Sequence, residues 1–127
     1  MSVELNHTIV WCRDRKKSAT FFADILGLGT PKPFGHFLVI ETGNGVSLDF
    51  AEAEGEIGSQ HYAFLISEEE FDELFRRIKE RDIPYWADPA RRRKNQINFN
   101  DGGRGMYFDD PAGHFLEVLT RPYGSGS

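Results

Sequence analysis

Gln60-His61-Tyr62-Ala63-Phe64-Leu65-Ile66-Ser67-Glu68-Glu69-Glu70-Phe71 is the stretch on which the fold turns. His61 to Ile66 reads as a strand. Ser67-x-x-Glu70 has the spacing of a capping box, which starts a helix directly behind that strand. Phe71, Leu74, Phe75 and Ile78 recur at i, i+3, i+4 and i+7, the stripe of a core-facing helix. Ile83-Pro84 ends the helix, and Tyr85-Trp86-Ala87 reads as a short strand. Arg104 to Phe108 and Phe115 to Leu119 read as a hairpin around Asp109-Asp110-Pro111-Ala112-Gly113.

The same order stands toward the N-terminus. Asn6-His7-Thr8-Ile9-Val10 sits over Gln60-His61-Tyr62-Ala63-Phe64, each at the start of a half. An alternating strand over Glu4 to Trp11 leads to an amphipathic helix from about Arg15 to Leu26, stopped by Gly27 in a left-handed C-terminal turn. Phe37 to Ile40 and Val46 to Phe50 follow as strands joined by the Gly43-Asn44-Gly45 turn. Each half is read as β-α-β-β-β, giving an α+β protein of two modules, one over about residues 3–53 and one over about 60–121. Both are expected within a single domain, residues 1–123, with Glu54 to Ser59 as connector and 124–127 as a flexible tail.

At 127 residues there is room for one domain, and 39% hydrophobic with 28% charged residues rules out a collagen-like or wholly disordered chain. No apolar run approaches the roughly 20 residues of a membrane span, and no secretory leader is visible, so a cytoplasmic protein is expected. Cys12 is the one cysteine, so no internal disulfide can form. A net charge of −5 argues against a nucleic-acid partner. The 11 Phe, 4 Tyr and 2 Trp exceed what looks ordinary for a core, and the surplus suits a pocket for a flat, apolar ligand.

Strand parity selects the candidate chemistry. His7 shares a face with Leu5, Ile9 and Trp11; His61 goes with Ala63 and Leu65; Glu117 goes with Phe115 and Leu119. A carboxylate on a mostly apolar face is costly to bury alone. Two imidazoles and a carboxylate are the ligand set of facial-triad iron sites. Asp49, with Ser47 and Ala51 on its parity, is a possible fourth donor. The competing reading makes each histidine a hydrogen-bonded structural residue, and the two stand near even on the residues alone.

Tyr107-Phe108-Asp109-Asp110-Pro111-Ala112-Gly113-His114-Phe115-Leu116-Glu117 and the module plan resemble the vicinal oxygen chelate superfamily of glyoxalases, bleomycin resistance proteins, fosfomycin-resistance enzymes and extradiol dioxygenases. The resemblance runs from about Val3 to Arg121. It implies curved, cup-like mixed sheets around a divalent metal held by His7, His61 and Glu117, with Asp49 where bacterial glyoxalase I has Glu. Met106-Tyr107, Asp110-Pro111, Gly113 and Glu117 follow the extradiol signature, but Asn100 stands where that signature has histidine. The resemblance thus gives Tyr107 a hydrogen bond to a substrate oxygen, with Asn100 as a neighbouring donor unable to shuttle a proton. Trp11 replaces the glutathione-holding arginine of glyoxalase I, and is either a flat wall for substrate or an interior packing residue.

The expected function is an Fe(II)-dependent dioxygenase acting on a hydroxylated aromatic or polyketide-like molecule with O2; Mn, Ni and Zn suit the same donors. The alternatives are a lyase, isomerase or thiol transferase using the metal as a Lewis acid, and a metal-free protein that sequesters a drug. The six-residue connector spans only about 20 Å, and short relatives pair first halves with second halves of a neighbour. A homodimer with shared sites is therefore expected. Arg91-Arg92-Arg93-Lys94 is either a solvated loop or a rim attracting an anionic or polyphenolic substrate.

Overall fold

The computed structural model describes residues 2–126; Met1 and Ser127, the outermost residues of the expected domain and tail, lie outside it. The chain divides into two compact units with the boundary between Gly58 and Ser59, inside the expected connector. In module one, strand β1 (His7–Cys12) is followed by helix α1 (Arg15–Leu26), β2 (Lys32–Phe34), β3 (Phe37–Glu41) and β4 (Ser47–Glu52). In module two, β5 (His61–Leu65) is followed by α2 (Glu68–Glu80), β6 (Tyr85–Trp86), β7 (Gly105–Asp109) and β8 (Phe115–Leu119).

Helix ends fall where capping chemistry puts them. The Asp14 side chain accepts from Lys17 N at 3.1 Å, and Gly27 closes α1 at φ 68°, a conformation that costs a residue without Cβ little. At α2 the capping box is complete: Ser67 Oγ accepts Glu70 N at 3.0 Å and Glu70 Oε1 accepts Ser67 N at 2.8 Å. Phe71, Leu74 and Ile78 are buried as their spacing predicts.

The two sheets repeat one topology. The first has the order β1-β4-β3-β2 and the second β5-β8-β7-β6. In each, the first strand lies parallel to the last and the remaining pairs are antiparallel. Burial alternates along β1: Val10 and Cys12 are buried, while His7, Ile9 and Trp11 are exposed. In module one α1 packs on β3 and β4, with Phe22 edge-on to Phe50 at 4.9 Å. Burying each such ring contributes roughly 1.5–3 kcal/mol.

Two expectations are corrected, and one strand is added that the sequence did not locate. The cup does not form: each module is an open four-stranded mixed sheet with two edge strands, and neither sheet curls closed on itself. Closure needs a backbone ladder between the two unpaired edges, and the parity that places residues on a face says nothing about it. β1 starts at His7 rather than Glu4, because its partner β4 starts at Ser47, directly opposite His7. The short β2 has no apolar signal, and Lys32, Pro33 and Phe34 are all exposed. Pro33 is tolerated there because β2 is an edge strand.

Candidate functional site

Module two gathers its polar residues on the sheet face that the strand alternation turns away from Leu116 and Val118. Register places Ala63 and Tyr107 on either side of Glu117, and His61 beside Phe115. Glu117 is 2% exposed, although its side chain is a carboxylate. His61 Nε2 stands 3.1 Å from Glu117 Oε1. The other ring nitrogen, Nδ1, is 2.8 Å from the Phe115 carbonyl and must donate to it, since a carbonyl only accepts. In a neutral ring this leaves Nε2 unprotonated, facing the carboxylate lone pair to lone pair. Either a second proton or a cation belongs between them.

The second carboxylate oxygen, Oε2, accepts from the Tyr123 hydroxyl, which is itself 3.1 Å from the Tyr107 hydroxyl. Tyr123 is 63% exposed, but its hydroxyl is turned in toward the buried carboxylate. Burial of that hydroxyl, reinforced by its bond to Glu117, pushes its titration far above the ordinary phenol range. Burial also raises Tyr107, which is 6% exposed; the bond to Tyr123 opposes the shift and the Glu117 charge adds to it. Both phenols therefore stay protonated at neutral pH and act as donors. Tyr123 carries no local signal in the sequence, because it lies past the last strand and reaches Glu117 only through the fold.

Aromatic rings extend the same face. Tyr107 and Phe115 stack at 5.4 Å and 19°, and His61 lies 6.0 Å from Tyr107 at 24°. Trp86 flanks Phe115 at 6.3 Å. The Arg91 guanidinium lies over both Trp86 and Phe115, 4.5 and 4.1 Å from their ring centres. It grips Asp109 with two bonds, of 2.8 and 2.7 Å. Arg92 and Arg93 instead give their backbone N–H groups to the Asp88 carboxylate. The basic run is thus divided, with one arginine docked inward and its neighbours serving a turn.

In module one, β1 and β4 pair in parallel with Ile9 opposite Asp49 and His7 opposite Ser47. His7 Nδ1 is 2.7 Å from Asn6 Oδ1, and Asp49 Oδ1 accepts from Ser47 Oγ at 2.6 Å. Trp11 is 46% exposed on the His7 face, so it is not an interior packing residue of its module. Asn100 begins a three-residue 3-10 turn, where its N–H donates to Asn98 Oδ1 at 3.3 Å. Asn98 is 6% exposed and also donates to the Ala87 carbonyl. The fold therefore brings together His61, Glu117 and Tyr107, adding Tyr123. Among the described residues no three His, Cys, Asp or Glu side chains converge within this one chain.

The His61–Glu117 pair suits a divalent ion. Donors sharing an ion at about 2.0–2.2 Å each lie about 3 Å apart when at right angles. That is close to the spacing found here.

A family model for the Glyoxalase/Bleomycin resistance protein/Dioxygenase superfamily matches residues 4–118. The chain is 31% identical over 124 residues to glutathione transferase FosA of Serratia marcescens, covering 93% of this chain and 81% of that protein. Among solved structures, oxidase ChaP-H2 is 59% identical with a TM-score of 0.97 over the whole of both chains. Oxidase ChaP-H1 is 61% identical with a TM-score of 0.95, covering 97% of this chain and 99% of that one. No described helix is long and apolar enough to cross a membrane.

Proposed function

The chain belongs to the glyoxalase/bleomycin resistance protein/dioxygenase superfamily, and on that premise we propose that it is an Fe(II)-dependent oxygenase acting on a hydroxylated aromatic or polyketide-like molecule. The observation that carries the reading is the buried Glu117 carboxylate facing His61 Nε2 at 3.1 Å, on a face lined with rings. Similarity to two proteins named as oxidases, at 59% and 61% identity, supports oxidative chemistry over the redox-neutral alternatives.

His61 and Glu117 would hold the metal together with His7, with Asp49 as a further donor; Mn, Ni and Zn suit the same groups. When bound, a divalent ion lowers the pKa of chelated substrate oxygens, and iron adds the redox chemistry that dioxygen requires. The chain supplies the rest. The Phe115 carbonyl fixes the His61 tautomer, and Tyr123 holds the Glu117 carboxylate in place. Tyr107, kept protonated, would turn its hydroxyl from Tyr123 to donate to a substrate oxygen, with Asn100 as a second donor. Trp11 offers a flat apolar wall. Because His7 and Asp49 belong to one module and His61 and Glu117 to the other, a homodimer with shared sites is the assembly we propose.

The test loads the protein with Fe(II) or Zn(II) and measures dioxygen uptake with an aromatic diol or hydroquinone. Uptake by the iron form alone is expected, because zinc has no redox chemistry. Equal turnover by the zinc form without oxygen would overturn the reading. A second reading, thiol transfer with the metal as Lewis acid, is favoured by the likeness to the glutathione transferase. It predicts a thiol adduct formed without oxygen.

A further inference from the structure

β5 begins at His61, so the ring that faces Glu117 hangs from the first residue of an edge strand. A strand end holds its place only if the N–H groups just outside the ladder find acceptors. His114 supplies one. Its ring is fully buried, and Nδ1 accepts Gln60 N at 3.0 Å, one residue before His61. The Gln60 carbonyl accepts Phe115 N at 2.8 Å, and the Phe115 carbonyl accepts His61 Nδ1 at 2.8 Å. Hydrogen bonds thus run in series from the His114 ring to the His61 ring. His114 is itself fixed: Asp110 Oδ1 accepts its N–H at 2.7 Å, its carbonyl accepts Asp110 N at 3.0 Å, and Tyr62 lies edge-on to its ring at 5.6 Å.

Module one is a control within the same chain. Its register puts Asn6 and Val46 where module two has Gln60 and His114, and Ser47 N again donates to the Asn6 carbonyl, at 2.9 Å. A valine side chain, however, has nothing with which to accept Asn6 N. There the His7 ring pairs through Nδ1 with its own neighbour, Asn6 Oδ1. We infer that His114 is a positioning residue for His61, holding the end of β5 so that the ring keeps Nδ1 on the Phe115 carbonyl and Nε2 on Glu117. A ring nitrogen that accepts an N–H bears no proton, whereas one that faces a carbonyl must bear one. His114 therefore carries its proton on Nε2, and His61 carries one on Nδ1. Only the task of Nε2 rests on the metal reading; the placement of the ring is measured without metal.

The experiment records proton–nitrogen correlation spectra of metal-free protein labelled at its histidine nitrogens, at about pH 8, above the ordinary imidazole range. The two rings are assigned by the signals lost in His61→Ala and His114→Asn. His114→Leu removes the acceptor. Gln60→Pro removes the donor instead, at the start of an edge strand, where proline is tolerated. His114→Asn keeps a side-chain oxygen near the place of Nδ1. Each variant is first shown to keep the wild-type circular dichroism.

Wild type should show the His61 proton on Nδ1 and the His114 proton on Nε2. In His114→Leu and Gln60→Pro the His61 proton should leave Nδ1 for Nε2, while His114→Asn should keep the wild-type pattern at His61. Zinc affinity, measured separately, should fall about tenfold in the first two and stay within about threefold of wild type in the third. Ser59→Ala, which cuts a different stitch to the same turn (Ser59 Oγ donates to the Gly113 carbonyl at 2.8 Å), should change neither readout. A wild-type His61 protonated on Nε2 alone, or a His61 pattern unchanged in folded His114→Leu or Gln60→Pro, would overturn the positioning role. Wild type that binds no zinc would remove the metal reading alone, because the ring pattern is read in its absence.

Discussion

The two modules put a histidine and a carboxylate at matching points and then treat them differently. In module one the residue two beyond His7, Ile9, lies opposite Asp49; in module two the residue two beyond His61, Ala63, lies opposite Glu117. Strand register is thus the same, yet only module two joins its pair. Glutamate is one methylene longer, and Glu117 is buried beside His61, whereas Asp49 is taken up by Ser47 and His7 by Asn6. One module presents a carboxylate and imidazole already apposed; the other presents an exposed imidazole on an open face. The lesson is that a duplicated scaffold sets where donors stand, while side-chain length and local hydroxyls and amides decide which of them meet.

The sharpest way to break this comparison is to remove the donors one at a time. Zinc affinity should fall at least 100-fold in Glu117→Ala and His61→Ala, beyond the roughly 10–100-fold typical of losing an outer partner. His7→Ala should match them if it is a ligand, whereas Asp49→Ala, already occupied by Ser47, should lose less than about tenfold. Metal analysis after dialysis against a chelator reads all four. Equal retention in His61→Ala and Glu117→Ala would remove the metal from module two.

A second break tests whether the open face of module one completes the site of a neighbour. His7→Ala and Glu117→Ala chains, each inactive alone, are mixed under conditions of proven subunit exchange. In a shared-site dimer, one of the two sites in each mixed dimer escapes both lesions. A random one-to-one mixture should therefore regain about a quarter of the sites. No recovery would mean that each chain builds its site by itself.

These outcomes also bear on what could be read in advance. Local patterns carried the elements: Gly27 stops α1, Ser67 and Glu70 start α2, and alternation gave His61 and Glu117 their parity within their own strands, while the β5–β8 register put them on one face. What depends on distant chain was not legible. Lys32–Phe34 forms a strand only because β3 offers it an edge, with Lys32 opposite Val39. Tyr123 and Arg91 reach the site through tertiary contact, 6 residues from Glu117 in one case and 18 from Asp109 in the other. The closed cup failed for the same reason, since periodicity assigns faces and leaves the joining of sheet edges undetermined.

The helices sharpen the comparison at smaller scale. α1 has one cap in its own turn, Asp14, and borrows Glu52 Oε2 from β4 for Arg15 N at 3.2 Å, while α2 has a reciprocal box whose two bonds close within one turn. Ser67→Ala should cost about 1–2 kcal/mol and Asp14→Ala about 0.5–1 kcal/mol in urea unfolding. Glu70→Ala should recover part of the Ser67→Ala effect as non-additivity, because the two bonds share one turn. Ser67→Ala leaves its own N–H bonded to Glu70, so the second bond is read in Glu70→Ala, and no cost there would show that it adds nothing.

The smallest effect contrasts the two hairpin turns. The β3–β4 turn is neutral, with Thr42 Oγ1 bonded to Asn44 Oδ1 at 2.6 Å. The β7–β8 turn instead buries Asp110, 5% exposed, whose Oδ1 accepts Ala112 N at 2.9 Å and His114 N at 2.7 Å. Its Oδ2 has no partner among the described residues. Burial raises the Asp110 carboxyl above the ordinary range, against the pull of those backbone bonds and of nearby His114. A raised carboxyl binds its proton more tightly in the folded state. Its contribution is therefore complete below about pH 4, the unfolded value, and is lost as pH rises through the folded value. Asp110→Asn keeps the Oδ1 acceptor and cannot ionise. Its stability relative to wild type should then climb between mildly acid and neutral pH, read from urea midpoints across that range. A difference that shrinks instead would mean that the folded turn prefers the charged carboxylate, and that the backbone bonds outweigh burial.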